Sequence, residues 1–262
     1  MPVAILQDVR IMRGRTKARL MAAEDGNYYV VKFQTNPLGR RSLVNDFAAS
    51  SVALSLGLSV ARAELVELSE SLWEIAAGGS SRHAGLHFGS RFVVHPRQGQ
   101  VVDYFPDSMF DRLANPDVIA GAFVFDFWMR NSERQFVYYR IPPGSRYVAV
   151  MIDQGGCFGG TEWNVGVNVS AQNSEWPRMH LEKFLAIDRS LFEFWVSRIA
   201  SCPEELAAEI MGTIPSEWLT DERGRFEVVL RSVWDSKPTI EDVDELLALL
   251  QERKSGDRRT EK

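Results

Sequence analysis

The sequence predicts an α+β fold with two lobes, a small β-rich N-lobe followed by a larger, mainly helical C-lobe. Short strand-type runs fill the front of the chain, helical periodicity dominates after residues 115–117, and a small flexible segment lies between them. The chain has 262 residues, of which 45% are hydrophobic, and can therefore bury a sizeable core. We expect one domain over 1–254, with an N-lobe over 1–77, a C-lobe over 78–254 and a charged, frayed tail over 255–262.

The elements of the N-lobe follow from short apolar runs. Five of them are expected to be strands: Val3–Leu6, Ala18–Ala22, Tyr28–Phe33, Leu65–Leu68 and Ser71–Ile75. A turn signal at 24–27 joins the second and third strands into a hairpin. Apolar residues at helical spacing predict a helix over Leu43–Leu56, which Gly57 ends.

The C-lobe is expected to begin with a loop-like stretch from Ala76 to Asp107 and to continue with helices. The polar loop 131–135 should lead into a β-hairpin that ends at Asp153. Thr239 is expected to cap the last helix, since Asp242 stands at capping-box spacing. The predicted helices are Val118–Arg130, Glu182–Ile199, Pro203–Met211, Asp221–Ser232 and Glu241–Lys254.

Composition narrows the classes of function. The net charge of −5 does not indicate a basic surface, so direct nucleic-acid binding is not expected. The N-terminus does not have the pattern of a signal peptide, and no window reaches the roughly 18 apolar residues of a membrane span. Two cysteines, Cys157 and Cys202, are too few for a disulfide framework and are expected to be reduced thiols. The four histidines lack metal-ligand spacing. A cytoplasmic protein without zinc or a membrane partner is predicted.

Lys32 and Asp46 form the first candidate pair. Lys32 lies inside the apolar strand YYVVKF, either on a solvated face or with its ammonium in a cleft where it neutralises phosphate charge. Asp46, on the following helix, is either a solvated residue or the carboxylate that orients the lysine. Upstream, Gly14 and Thr16 lie in a basic turn. Its backbone N–H groups and hydroxyl are suited to covering phosphates, although a solvated turn explains them equally well.

A second group of candidates follows the aromatic helix. Asp126 stands among aromatic residues, either as a hydrogen-bonded structural carboxylate, which we favour, or as an acid with a raised pKa. In the loop after it, Glu133 is a candidate to accept a proton from a substrate hydroxyl, and Asn131 and Arg134 are candidates to position phosphate or substrate. The alternative is an ordinary polar loop between a helix and a strand.

Asp153 is the sharpest candidate. It ends the apolar strand RYVAVMID and precedes a Gly-rich bend. A carboxylate that leaves a buried strand in this way is well placed for Mg²⁺, which takes one or two protein carboxylates together with phosphate oxygens. The alternative is an aspartate that only forms a turn.

The ordered set of these segments resembles the compact HipA-like kinase domain of bacteria, related to the HipA toxin kinases. The resemblance spans about residues 3–250. The segments that carry it are DGNYYVVKF, LVNDFAASSVALSLGLSVARAELVEL, GLHFGSRF, FDFWMRNSERQ, VMIDQGGCFGGTEW and IPSEWLTD.

The resemblance implies a protein-kinase-like fold, ATP and Mg²⁺ as cofactors, and transfer of phosphate to a Ser/Thr hydroxyl of a protein or of the chain itself. It makes Lys32 the nucleotide-binding lysine, Asp46 its partner and Asp153 the metal-binding aspartate. Asn131 and Arg134 follow the family's loop pattern, Asn-x-Asp-Arg and a later Asn.

Three positions depart from the family's pattern, and they leave a second hypothesis open. Glu133 replaces the catalytic Asp, Asp46 replaces a Glu, and Tyr138 stands where the metal-ligating Asn is expected. A base misplaced by about 1 Å can cost roughly a hundredfold in rate. The alternative is therefore a pseudokinase, a regulatory module that binds nucleotide or a protein partner without transferring phosphate.

Overall fold

The β-rich front of the chain folds into a closed five-stranded barrel. The computed structural model describes residues 1–77, 84–131, 133–164 and 189–249. The strands follow the order β1-β2-β3-β5-β4, and a short parallel pairing of Val3 with Val66 closes the barrel between β1 and β4. The other pairings are antiparallel. The strands are β1 (Val3–Ile11), β2 (Arg19–Ala23), β3 (Tyr28–Lys32), β4 (Ala63–Leu68) and β5 (Gly85–Arg91).

The predicted hairpin of β2 and β3 is present. Gly26 occupies its turn with a φ of 78°, a conformation that glycine adopts without steric cost. The Asp25 side chain accepts hydrogen bonds from the Asn27 backbone N–H and the Tyr29 hydroxyl, which orders the turn. Because this hairpin sets the register of β3, it determines which residues of that strand face the barrel interior and which face the C-lobe.

Two expectations for this part of the chain are wrong. Ser71–Ile75 is not a strand but lies in a helix, α2 (Glu70–Ala77), which buries Leu72, Trp73 and Ala76 on one face. A short apolar run does not distinguish the two structures by periodicity. The stretch from Ala76 to Asp107 is not all loop, since it contains β5 and β6 (Gln100–Val102). The barrel therefore extends beyond residue 77.

Helix α1 (Arg40–Ser55) joins the two lobes, and it is buried on nearly all sides. Its apolar residues, among them Leu43, Phe47 and Val52, belong to the same hydrophobic core as the C-lobe helices. The barrel encloses a separate core, which includes Met21, Val31 and Trp73. The molecule therefore has two cores, and α1 belongs mainly to that of the C-lobe.

The C-lobe combines helices with a three-stranded antiparallel sheet of order β6-β7-β8. The central helix α3 is enclosed by the core, as its aromatic sequence predicts. The described elements are α3 (Asp117–Met129), β7 (Gln135–Arg140), β8 (Val148–Ile152), α4 (Arg189–Ala200), α5 (Glu205–Thr213), α6 (Ser216–Leu219), α7 (Arg223–Trp234) and α8 (243–249).

The predicted C-lobe helices are found within a few residues of their expected positions. The predicted capping box is confirmed: Thr239 and Asp242 bond reciprocally at a 3-10 turn that continues into α8. The first residues of the helix predicted from Glu182, the last residues of the one predicted to Lys254, and the tail lie outside the described residues. In the described part of the chain, no helix is long and apolar enough to cross a membrane.

Candidate active site

Lys32, Asp46 and Asp153 meet between the two lobes. The Lys32 ammonium donates to Oδ2 of Asp46 at 2.7 Å and to Oδ1 of Asp153 at 2.7 Å. Lys32 comes from the last position of β3, Asp46 from α1, and Asp153 from the residue after β8. The structure thus brings together three side chains that are up to 121 positions apart in the sequence.

The three groups shift one another's pKa values. Burial raises the pKa of Asp46 to about 6, although the Lys32 ammonium acts against this. Burial alone would raise the pKa of Asp153, but Lys32 holds it below its ordinary value. Burial alone would lower the pKa of Lys32, but the two carboxylates raise it above the ordinary range. Of the two carboxylates that share the Lys32 ammonium, Asp46 therefore takes up a proton more readily than Asp153.

The backbone around Asp153 is held in an uncommon conformation. Asp153 has a φ of 56°, in the left-handed region that few non-glycine residues adopt. The next residue, Gln154, donates its backbone N–H to Oδ1 of Asp46 at 2.7 Å. Asp46 thereby bonds both Lys32 and the turn that carries Asp153. Its position determines the geometry of the whole cluster.

Asn45 anchors the Gly-rich segment after Asp153. Its Nδ2 lies 3.0–3.1 Å from the backbone carbonyls of Gly155, Cys157 and Gly160, and its Oδ1 accepts a bond from Trp163 Nε1 at 2.9 Å. Sequence reasoning did not assign this role to Asn45. The available signal was a polar side chain next to Asp46 in a helix that is otherwise apolar at this level.

The loop after α3 rests on a buried ion pair. Arg134 bonds Asp126 with two nitrogens, one at 2.9 Å, and donates to Oε1 of Gln154 at 2.7 Å. Asn131 donates to Oδ1 of Asp126 at 2.8 Å and accepts the Glu133 backbone N–H at 3.2 Å. The side chains of Asn131 and Arg134 therefore hold the loop in place, and Asp126 has the structural role that we favoured.

Glu133 projects from this loop toward the β1–β2 turn. Its carboxylate forms an ion pair with the Arg15 guanidinium, with N–O distances of 2.6 and 2.7 Å. Arg15 lies in the predicted basic turn, between Gly14 and Thr16. The contact joins residues 118 positions apart, and a pairing over such a distance has no local sequence signal.

A cleft opens beside Lys32 between the barrel and the β6-β7-β8 sheet. Thr16, Lys32, Asp46 and Asp153 line it, whereas Gly14 is absent from its walls. Gly14 has a φ of 131°, and a Cβ added there would meet no atom within 4 Å. The apolar walls of the cleft come from both lobes: Ala18, Val30, Ala61, Phe88, Val137 and Ile152. A flat apolar group and a charged tail would both find matching surfaces here.

The model of the HipA-like kinase family matches residues 3–139, more than half of the chain. The chain belongs to the HipA-like kinase family. Comparison with curated proteins found no match.

Two solved structures of kinases are similar to this HipA-like chain. The proinflammatory kinase CtkA of Helicobacter pylori superposes with a TM-score of 0.56 at 15% identity, covering 96% of this chain and 99% of that one. The Golgi casein kinase has a TM-score of 0.48 at 11% identity, with coverages of 96% and 74%. The first likeness supports the fold. The two-lobed, α+β protein-kinase-like fold predicted from the sequence is confirmed, and family and fold together support a kinase-like function.

Tyr138 stands at the position where the family pattern has a metal-ligating Asn, but its side chain does not face the cleft. Its side chain is buried and stacks on Phe105, with ring centroids 4.7 Å apart, in the C-lobe core. Alternate residues of β7, Gln135 and Val137, line the cleft instead. Gln135 Nε2 lies 3.3 Å from Oδ2 of Asp153. Among the described residues, Gln135 is therefore the amide side chain that faces the cleft.

The described part of the chain contains no cluster of three or more His, Cys, Asp or Glu side chains that could hold a metal ion. The donors near the cleft instead fit Mg²⁺ held together with a nucleotide, because this ion binds through one or two carboxylates plus phosphate oxygens. Asp153 offers such a carboxylate at the cleft wall, and its low pKa keeps it ionised.

Proposed function

We propose that the chain is an ATP- and Mg²⁺-dependent kinase that transfers the γ-phosphate to a Ser/Thr hydroxyl of a protein substrate or of itself. The observation that carries the proposal is the Lys32 ammonium, which lies within 2.7 Å of both Asp46 and Asp153 at the charged end of an apolar cleft. Kinases use a lysine, its acidic partner and a metal-binding aspartate in this combination.

The nucleotide half of the proposed site combines apolar walls with one buried cation. The walls around Ala61 and Val30 suit a purine base, and Lys32 is a compact point charge suited to phosphate oxygens. Asp46 and Asp153 hold Lys32 in position before any ligand binds, so less side-chain entropy is lost on binding. Thr16 lies at the wall from which its hydroxyl can reach the phosphates.

Asp153 is the residue proposed to hold Mg²⁺, which would neutralise charge on the phosphates. The carboxylate is ionised, faces the cleft and is oriented by Lys32 and by the bend at Gln154. The left-handed backbone of Asp153 turns the chain sharply after β8, so that the side chain stays at the cleft.

Glu133 is the proposed acceptor of the substrate hydroxyl's proton. Asn131 and Arg134 act as positioning residues, since both bond Asp126 and hold the loop that carries Glu133. The Glu133 carboxylate is paired with Arg15, so an incoming hydroxyl must displace this contact. Exposed ion pairs contribute about 0–1 kcal/mol, and the displacement is therefore inexpensive.

A second candidate is a pseudokinase that binds nucleotide, or a protein partner, without transferring phosphate. The pairing of Glu133 with Arg15 and the burial of Tyr138 favour it, because neither side chain is free in this arrangement for the role that the family pattern implies. The partners of the kinase are ATP and a protein, and those of the pseudokinase are a nucleotide or a protein. A cytoplasmic location is part of the proposal, in keeping with two free, buried cysteines.

Thermal unfolding with and without ATP and Mg²⁺ tests the nucleotide site. Ligand at about 100 times its Kd should add roughly 2.7 kcal/mol, a rise in Tm of roughly 5–10 °C for a chain of this size. Asp153→Asn should abolish the Mg²⁺-dependent part of the rise, whereas Asp221→Asn, an exposed control, should keep it. No rise at millimolar ATP would reject the proposal.

Transfer of radiolabel from γ-labelled ATP to the chain or to a generic protein substrate distinguishes the two candidates. Glu133→Ala should lower transfer by roughly a hundredfold or more, in the range of general acid–base contributions. If transfer is measurable and unchanged in Glu133→Ala, Glu133 is not the base. If nucleotide binds and no transfer is detected, the pseudokinase is the better account.

A further inference from the structure

We propose that Gln135 supplies the second protein oxygen to the metal ion at Asp153, a role that the sequence pattern attaches to position 138. The inference rests on the proposed nucleotide- and metal-dependent function and adds a ligand that counting along the chain does not find.

The register of the C-lobe sheet places Gln135 at the metal-binding aspartate. Gln135 is the cross-strand partner of Ile152, the residue before Asp153. Its side chain lines the cleft, and its Nε2 lies 3.3 Å from Oδ2 of Asp153. The other carboxylate oxygen, Oδ1, accepts the Lys32 ammonium at 2.7 Å. The two oxygens of Asp153 thus face different groups, a cation on one side and an amide on the other.

An amide in this position suits the site both without and with a bound metal ion. Beside a carboxylate alone, the amide presents its N–H group, as the contact with Oδ2 shows. A half-turn about the last side-chain bond exchanges N–H for the carbonyl oxygen, which is the atom that a cation requires. Mg²⁺ accepts such oxygens together with phosphate oxygens and water. Gln135 can therefore change from donor to ligand without moving its backbone.

Tyr138 and two nearby asparagines have other contacts. Tyr138 points to the opposite face of β7 and stacks on Phe105. Asn131 bonds Asp126 and the Glu133 N–H, while Asn45 bonds the carbonyls after Gly155. Among the described amide side chains, Gln135 is the one that both lines the cleft and forms a hydrogen bond with Asp153.

Mn²⁺ binding tests the proposal without relying on activity. The purified chain is titrated with Mn²⁺ in the presence of a non-hydrolysable ATP analogue, and free Mn²⁺ is followed by electron paramagnetic resonance. Gln135→Ala should weaken Mn²⁺ binding at least about tenfold, the lower end of the losses seen for groups that support metal ligands. Gln135→Glu, which keeps a ligand oxygen, should bind Mn²⁺ as tightly as the wild type or more tightly.

Tyr138→Phe is the matched control, because it removes the hydroxyl at the position that the pattern assigns. Its Mn²⁺ affinity should equal that of the wild type. Thermal midpoints without ligand check that each variant is folded. We expect this because Gln135 is exposed and Tyr138→Phe keeps the buried ring that stacks on Phe105. Wild-type affinity in Gln135→Ala, or a loss in Tyr138→Phe as large as that in Gln135→Ala, overturns the inference alone. If the wild type itself binds no Mn²⁺ with the analogue, the proposed function fails with it.

Discussion

The two halves of the candidate site differ most in the solvent exposure of their charged side chains. In the nucleotide half, the side chains of Lys32 and Asp46 are 7% and 1% exposed. In the other half, which carries the proposed proton acceptor Glu133, the side chains of Arg15 and Glu133 are 68% and 44% exposed. Each half contains an ion pair, yet only the pair of Lys32 with Asp46 is enclosed by packing.

This contrast indicates which half is preorganised. A buried charge without its partner is costly, so the positions of Lys32, Asp46 and Asp153 depend on one another. An exposed pair such as Arg15–Glu133 is screened by water and exchanges easily for another partner. Under the proposed function, the nucleotide half is organised before ligand binding, while the half around Glu133 can rearrange around a substrate. Four predictions test this difference, beginning with the largest expected effect.

Arg134→Met should lower the free energy of unfolding by about 3–5 kcal/mol. The variant leaves the Asp126 carboxylate buried and without its ion pair. Removing one partner of a buried ion pair is strongly destabilising because the remaining charge is uncompensated. Urea denaturation measures the loss, and the neighbouring Glu133→Gln, which touches an exposed pair, should lose less than about 1 kcal/mol. The double variant Arg134→Met, Asp126→Leu should regain part of the loss. If Arg134→Met and Glu133→Gln lost the same free energy of unfolding, the difference between the buried and the exposed ion pair would be contradicted.

Lys32→Met should cost about 2 kcal/mol of stability and remove the stabilisation by ATP and Mg²⁺. The methionine keeps most of the volume but removes two charge-assisted hydrogen bonds, while Asp46 can take up a proton and so reduce the repulsion from Asp153. Urea denaturation with and without ligand measures both effects. A ligand-dependent stabilisation of wild-type size in the variant would show that Lys32 is not at the nucleotide site.

Asp46→Asn should change the dependence of stability on pH. The folded pKa of Asp46 is raised to about 6 from an unfolded value of 3.8, so between these values the folded state holds more protons than the unfolded state. The contribution of this group to stability therefore falls as pH rises. In unfolding experiments from pH 4 to 7, the free energy of unfolding of the variant relative to that of the wild type should rise with pH. The rise should be at most about 1.4 kcal/mol per pH unit. A constant difference across that range would contradict the raised pKa.

Arg15→Ala should have the smallest effect on folding, less than about 1 kcal/mol, because its ion pair is exposed. The difference from the wild type should shrink further as salt is raised, since exposed charges are screened. Unfolding at low and high ionic strength checks this. A loss of several kcal/mol that persists in high salt would mean that the loop with Arg15 is part of the packed structure.

Local patterns predicted most of the elements and supplied the candidate residues of the site, but not the register that combines them. Lys32 at the end of a strand and Asp153 after another were evident from the sequence. Strand β5, GLHFGSR, was missed because its Gly, His and Ser residues give a weak strand pattern, although β3 and β4 enclose it. The role of Gln135 and the contact of Arg15 with Glu133 depend on strand alternation and on packing between lobes, which no local pattern contains.

Since α1 shares the C-lobe core while Lys32 belongs to the barrel, the charge cluster links the two lobes. Asp46 and Asp153 are tied together through the Gln154 backbone N–H. If the barrel swings outward as a unit, Lys32 leaves both carboxylates in one movement, and the cation for the phosphates and the aspartate for the metal separate together. Under the proposed function, affinity for nucleotide and affinity for metal would both depend on the angle between the lobes.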